Sequence, residues 1–273
     1  MLLGIEEAPC VSIITVTFNA EKVIEETIVS IIRQDFTNYE MIVIDGGSRD
    51  NTLDILNKYR NFINFMVSEP DKGIYDAMNK GINHSRGKWL CFMNAGDVFY
   101  NDHVLTDVFS NHDYSEQAKL LYGDVSMVFD NNRECIKNSS TLKGRDVPIN
   151  LCHQATFTDG DYLREHNYDV SYKIAADTNS FYNIYKAGYI LQYVPVIISK
   201  YEASLGVSSK NVNLIFKEFM RVEGLTPKNN EWWRRWLKNK VRLLFMHCLP
   251  SKLYSKIMVR RLLKVQDNRQ KQF

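Results

Sequence analysis

From Val11 to Thr17 the chain runs through apolar and β-branched positions and stops at Phe18-Asn19. From Ala20 to Arg33 the apolar residues Val23, Ile24, Ile28, Ile31 and Ile32 recur at the spacing of one helix face. The pattern predicts a strand followed by a helix, and it repeats. Tyr39 to Ile44 reads as a strand, Gly46-Gly47 as a turn, and Asn51 to Tyr59 as a helix capped by Ser48 or Asp50. Phe62 to Val67, Ile74 to His84 and Trp89 to Met93 continue as strand, helix and strand. Such alternation predicts an α/β fold, with a mostly parallel central sheet flanked by helices on both faces.

Beyond residue 100 the pattern is less regular. Short strands at Leu120 to Tyr122 and Ser126 to Phe129 flank Gly123-Asp124, and the polar stretch Asp130 to Asn150 reads as a mobile insertion. Helical spacing resumes at Ile174 to Ala187, and Tyr189 to Ile198 reads as a late strand. From Asn211 onward the pattern is helical, with Val212, Ile215, Phe216 and Phe219 in one stripe and Trp232, Trp233, Trp236 and Leu237 beyond it. Pro250 is expected to divide this tail into two helices. No internal repeat and no low-complexity linker interrupts the chain.

Charge adds a division that hydropathy does not show. The net charge of the 273 residues is only +2, yet residues 228–273 carry 13 Lys or Arg against Glu231 and Asp267. The tail is therefore +11 and residues 1–227 are −9. We read residues 1–227 as a catalytic domain and 228–273 as a basic amphipathic helical tail. Apolar residues at 45% and charged residues at 24% describe an ordinary folded chain. Five widely spaced cysteines point to a reducing compartment. The start, with Glu6 and Glu7 before the first apolar run, does not read as a signal peptide. No window reaches the roughly 18 apolar residues of a membrane span.

Two loops lie at the carboxyl ends of predicted strands, where open α/β sheets bind ligands: Ser68-Glu69-Pro70-Asp71-Lys72-Gly73 and Asn94-Ala95-Gly96-Asp97. Asp45 ends a strand before two glycines. It either accepts hydrogen bonds from a base or ribose, with glycine admitting a ligand to the backbone, or stabilises its own turn; position leaves both open. Asp97 is placed to ligate a hard divalent cation that also holds diphosphate oxygens, or to serve as a turn or cap residue. Lys72 suits phosphate and Asp71 a nucleotide, with a surface ion pair as the alternative. His153, in Cys152-His153-Gln154-Ala155, is a metal or phosphate contact or a structural hydrogen bonder. Asp177, at the start of a predicted helix, is either a general base for an attacking alcohol or a favourably placed helix N-terminal carboxylate.

Other chemistries lack their motifs. The sequence contains no Gly-x-x-x-x-Gly-Lys-Ser/Thr, Gly-x-Gly-x-x-Gly, Gly-x-Ser-x-Gly or His-Glu-x-x-His. The tail mixes Trp, Leu, Ile and Val with its basic residues, which suits lipid better than nucleic acid.

Three ordered segments carry a family resemblance. Val11 to Asn19, Ser30-Ile31-Ile32-Arg33-Gln34-Asp35, and Glu40 to Asp50 with its Asp45-Gly46-Gly47-Ser48 resemble the opening of family 2 glycosyltransferases, and the likeness continues through Ser68 to Gly81 and Gly87 to Asp97. The resemblance covers about the first 200 residues. It implies a GT-A fold, a nucleotide-sugar donor, usually a UDP-sugar, and hexosyl transfer with inversion at the anomeric carbon. It assigns the donor to Thr17, Asn19, Asp45, Asp71, Lys72, Asn94 and His153. Asp97 takes the last acidic position of the aspartate-x-aspartate motif, with Mn²⁺ or Mg²⁺ as the expected ion, and Asp177 takes the place of the catalytic base. Similar bacterial enzymes build surface polysaccharide, such as O-antigen or capsule, on a polyprenyl-diphosphate-linked saccharide at the cytoplasmic face of the inner membrane. The basic, Trp-rich tail then fits peripheral attachment to an anionic membrane surface, or packing on the body or across a homodimer interface. A nucleotide-sugar-binding scaffold protein without turnover is the alternative of a different class.

Overall fold

The computed structural model describes residues 8–129, 133–202 and 211–248. Its first half follows the alternation of the sequence: β1 Val11–Thr17, α1 Ile24–Ile32, β2 Tyr39–Asp45, α2 Thr52–Lys58, β3 Phe65–Ser68, α3 Ile74–His84 and β4 Trp89–Phe92. These four strands are parallel, in the order β3-β2-β1-β4. Because successive side chains on a strand point to opposite faces, the apolar runs feed two cores. Ile13, Met41, Val43 and Cys91 pack with Ile28 and Ile31 of α1 on one face. On the other face, Ile14, Ile42, Ile44 and Phe92 pack with Met78 and Ile82 of α3. Each of these isoleucines is wholly buried and contributes about 1.5–3 kcal/mol of transfer free energy.

The second half holds elements that the sequence pattern does not reveal. β5 Val98–Phe99 and α4 Val104–Phe109 follow the Asp97 loop; β6 Ala118–Phe129, β7 Arg133–Lys137 and α5 Asp146–Asn150 come next; then β8 Thr156–Asp159, α6 Gly160–Glu165, α7 Ala176–Lys186 and β9 Ile190–Glu202. β8 is antiparallel to both β4 and β6, and β9 is parallel to β6. β6 and β9 therefore run in the direction of β1 to β4, and the sheet is mostly parallel in orientation. The two short strands expected around Gly123-Asp124 are one continuous strand. A side chain on Gly123 would meet the Val196 carbonyl at 2.5 Å, and the β6–β9 register shifts here, so the glycine marks a bulge where β9 approaches. The stretch expected as an insertion contains β7 and α5. Of the expected caps for α2, Asp50 accepts from the Thr52 amide at 3.1 Å, while Ser48 turns back to Asp45.

The last described elements are two helices, α8 Val212–Val222 and α9 Asn230–Cys248. The stripe expected at Val212, Ile215, Phe216 and Phe219 is only half-buried; Glu218, Met220 and Val222 are the buried residues of α8. Among the described residues no helix is long and apolar enough to cross a membrane. The break expected at Pro250 lies outside the described residues.

At the foot of the sheet, the first residue of α6 touches the approach to β4. A side chain on Gly160 would stand 2.3 Å from the Gly87 carbonyl oxygen. That neighbour is backbone and yields little. Gly160→Ala is expected to lower stability by about 1–3 kcal/mol, read as a drop in the urea midpoint with an unchanged slope.

Candidate active site

The carboxyl ends of β1, β2 and β4 form a crest whose loops are laced together. Asp45, the last residue of β2, is fully buried. Its carboxylate accepts from the Gly47 amide at 3.1 Å, the Ser48 amide at 2.9 Å, the Ser48 hydroxyl, and the Ser68 hydroxyl of β3 at 2.6 Å. Both oxygens are engaged within the protein, so Asp45 shapes the loop that follows it. Asn19 has a left-handed backbone with φ 48°, a conformation that asparagine tolerates better than most residues. Its amide donates to Ser48 Oγ at 2.8 Å and its side-chain oxygen accepts from the Arg49 amide at 2.9 Å. Thr17 Oγ1 is buried without a hydrogen-bond partner.

Around Gly46 the backbone lies open between two side chains. A Cβ there would meet Asp71 Oδ2 at 2.8 Å and the ring of Phe18 at 3.4 Å. Phe18 is 61% exposed, a large cost for a phenyl ring unless a flat ligand covers it. Sequence reading passed over Phe18; the signal available was an aromatic directly after a strand, beside the glycine pair. Asp71 is held by Lys80 at 2.6 Å. Lys72 is exposed on the same loop, and its amide donates to Asp76 at 3.0 Å.

A second cluster assembles from four distant segments. The Asn94–Asp97 loop is anchored by the Ala95 amide on Val16 O at 3.2 Å and by the Gly96 amide on Thr27 Oγ1 at 2.9 Å. His153, in a single 3₁₀ turn, points its ring between two carboxylates: Nε2 is 3.8 Å from Asp97 Oδ2, and Nδ1 is 3.3 Å from Asp177 Oδ2. Their side-chain exposures of 15% for Asp97, 25% for His153 and 12% for Asp177 mean that each remains reachable from solvent. Asp177 Oδ1 accepts from the Tyr75 hydroxyl at 3.0 Å and the Thr178 amide at 2.7 Å, which leaves Oδ2 facing the imidazole.

Burial opposes charge on the His153 ring, but hydrogen bonds and the charges of Asp177 and Asp97 outweigh it and push the imidazole up to about 10. Asn94 Nδ2 lies 3.0 Å from His153 Nε2, and Asn94 Oδ1 is buried without a partner. A neutral ring accepts from Nδ2; a cationic ring requires the amide to turn over and offer Oδ1. Protonation of His153 and use of Asn94 Oδ1 by another ligand are therefore alternatives. Asp97 with Asn94 Oδ1 is a hard-oxygen pair that fits Mn²⁺ or Mg²⁺. Among the described residues no group of three or more His, Cys, Asp or Glu converges on a cation position. Two protein oxygens, completed by diphosphate and water, make the usual Mg²⁺ arrangement at phosphates.

Comparisons with known proteins identify the family. Residues 12–176 match the family model described as glycosyl transferase family 2. The chain belongs to glycosyltransferase family 2. The PGL/p-HBAD biosynthesis glycosyltransferase of Mycobacterium tuberculosis H37Ra is 32% identical over 219 residues, covering 78% of this chain and 84% of the relative. Two solved structures share the fold. Staphylococcus aureus TarS has a TM-score of 0.59 at 22% identity, over 77% of this chain and 39% of TarS. The mannosyltransferase PcManGT from Pyrobaculum calidifontis, in complex with GDP-Man and Mn²⁺, has a TM-score of 0.60 at 19% identity, over 79% of this chain and 65% of its own. A shorter TarS fragment has been solved in complex with UDP-GlcNAc. The fold of this family 2 glycosyltransferase is thus of the GT-A type that its sequence implied.

One residue of the site's surroundings gave no warning in the sequence. Glu218 of α8, buried, accepts the amides of Lys173, Ile174 and Ala175 at 2.8, 2.9 and 2.9 Å. These residues lead directly into α7, so the carboxylate fixes the segment that presents Asp177. In this family 2 glycosyltransferase Glu218→Ala is expected to cost about 3 kcal/mol, given the charged hydrogen bonds lost. Glu218→Gln, which keeps one acceptor, is expected to cost less than half as much. Paired denaturant titrations of the two variants check this ordering.

Proposed function

We propose that this glycosyltransferase moves a hexosyl group from a nucleoside-diphosphate sugar, a UDP-sugar in the first instance, to a hydroxyl of a lipid-linked saccharide, with inversion. We place the reaction in cell-surface polysaccharide synthesis. The observation that carries the reading is the convergence of Asp97 and Asp177 on one imidazole at the carboxyl ends of parallel strands. The names of the relatives, a PGL/p-HBAD biosynthesis enzyme and two structures with sugar nucleotides bound, support a donor of this class. The exposed Phe18 ring beside Gly46 suits a stacked base, and the unpartnered Thr17 hydroxyl suits a polar edge of it.

In this reading Asp177 Oδ2 takes the proton of the acceptor hydroxyl as that oxygen attacks the anomeric carbon from the side opposite the phosphate. Tyr75 and the Thr178 amide hold Oδ1, so the carboxylate meets the acceptor in one orientation. With Asn94 Oδ1 turned to an ion, His153 Nε2 accepts from Asn94 Nδ2 and its Nδ1–H steadies Asp177 alone. Mn²⁺ or Mg²⁺, held by Asp97 and Asn94, would supply positive charge to the departing diphosphate. Lys72 and Asn19 stand on the loops that border the donor, and Asp71, held by Lys80, lies beside Gly46.

Purified protein supplied with a panel of nucleotide sugars and lipid-linked acceptors should release nucleoside diphosphate from one donor only. Asp177→Asn is expected to lower kcat by about 10²- to 10⁴-fold with donor affinity within a few-fold of the parent. A variant that retains parental turnover removes Asp177 from the mechanism. Asp97→Asn and chelation are each expected to abolish turnover, and added Mn²⁺ or Mg²⁺ should restore the chelated parent but not the variant. A scaffold protein would bind donor and release no diphosphate under any of these conditions.

A further inference from the structure

The helix α9 uses one face to dock on α8 and leaves a second apolar face uncovered. Trp232 packs its ring against Phe216 at 6.5 Å and stacks on Trp236 at 6.2 Å, while Arg235 is paired with Glu223 of the α8 C-terminus. These residues account for the docked side. Trp233, Leu237 and Val241, spaced one turn apart, are 51%, 60% and 46% exposed. At about 100° per residue they drift slowly around the helix and form one stripe, which begins beside the docked aromatics and turns away from them toward Val241. The Trp233 ring meets Trp232 and Trp236 edge-on at 4.9 and 5.7 Å and its indole N–H donates to the Pro227 carbonyl at 2.7 Å, so its polar atom is satisfied while half of its surface stays exposed. On the same helical count Lys240 borders the stripe on one edge and Arg234 with Lys238 on the other. Glu231 offsets Arg234 across 3.0 Å, and the two lysines carry the remaining charge.

We infer that this stripe is a docking surface for an anionic lipid bilayer, on which α9 lies in the headgroup plane. An exposed Trp whose polar atom is already bonded, in line with two aliphatic side chains and edged by cations, matches the demands of that interface. A second copy of the chain would repel: the flanks of the stripe are cationic and would meet their like. An anionic surface is attracted by the same charges, and the attraction weakens with salt. The inference stands apart from the sugar-transfer reaction, because it rests on α9 alone.

The test is sedimentation of the full chain with vesicles of phosphatidylcholine alone or with added phosphatidylglycerol, at low and high salt. The parent should partition onto phosphatidylglycerol vesicles about tenfold more strongly than onto neutral ones at low salt. The stripe variant Trp233→Ser/Leu237→Ser/Val241→Ser should lose this binding while keeping its circular dichroism and diphosphate release. Arg234→Gln/Lys238→Gln/Lys240→Gln, which keeps the apolar residues, should lose the salt-sensitive part of the binding and so decides the matter even if the serine variant does not fold. Absence of vesicle binding by the parent, or equal binding by parent and both variants, overturns the inference. So does a concentration-dependent dimer, seen by sedimentation velocity, that the stripe variant abolishes while leaving vesicle binding unchanged.

Discussion

The crest of this enzyme depends on one carboxylate that water never reaches. Asp45 is fully buried, and a buried charge is tolerated only when hydrogen bonds replace its hydration. Two backbone amides and two hydroxyls do so, and in doing so they fix the Gly46-Gly47-Ser48 loop, draw in β3 through Ser68, and give Asn19 a partner in Ser48. The arrangement explains why the sequence spends glycines here. A Cβ on Gly46 would stand 2.8 Å from Asp71 Oδ2, and Gly47, at φ 79°, adopts a left-handed backbone.

A different constraint governs the cluster around His153. Two carboxylates that face one another across a small cleft repel, and the cleft needs positive charge between them. The imidazole supplies it, and a divalent ion on Asp97 would compete for the same role. Asn94 is suited to either state, because its carboxamide offers a donor on one rotation and an acceptor on the other. Being uncharged, Asn94 does so without adding a third negative charge to the cleft.

What could be read in advance follows from how local each signal is. The strands and helices up to Met93 were legible because every strand was an apolar run and each helix showed its own period, both properties of adjacent residues. Asp97 and Asp177 stood out as carboxylates at strand and helix ends. The β6 strand was read as two because Gly123-Asp124 interrupts its apolar run, and only the approach of β9 identifies the glycine as a bulge. β8 and α6 were missed since a four-residue strand beside a six-residue helix carries too few positions to show a period. Glu218 lay beyond reach for another reason. It is a lone acidic residue next to Lys217 in a helix, and the three amides that it accepts lie more than forty positions earlier in the chain.

The pairing of Arg235 with Glu223 bears on how the polypeptide divides. Charge composition draws a boundary after residue 227, and a shortened protein ending there would seem the natural catalytic unit. Yet the Glu223 side chain is only 2% exposed, and its guanidinium partner comes from beyond that boundary. Removing the tail would strand a carboxylate against the helix that carries Glu218, which in turn steadies the segment leading to Asp177. The charge boundary thus cuts across a buried ion pair: the basic segment, as far as Arg235, is tied to the end of α8.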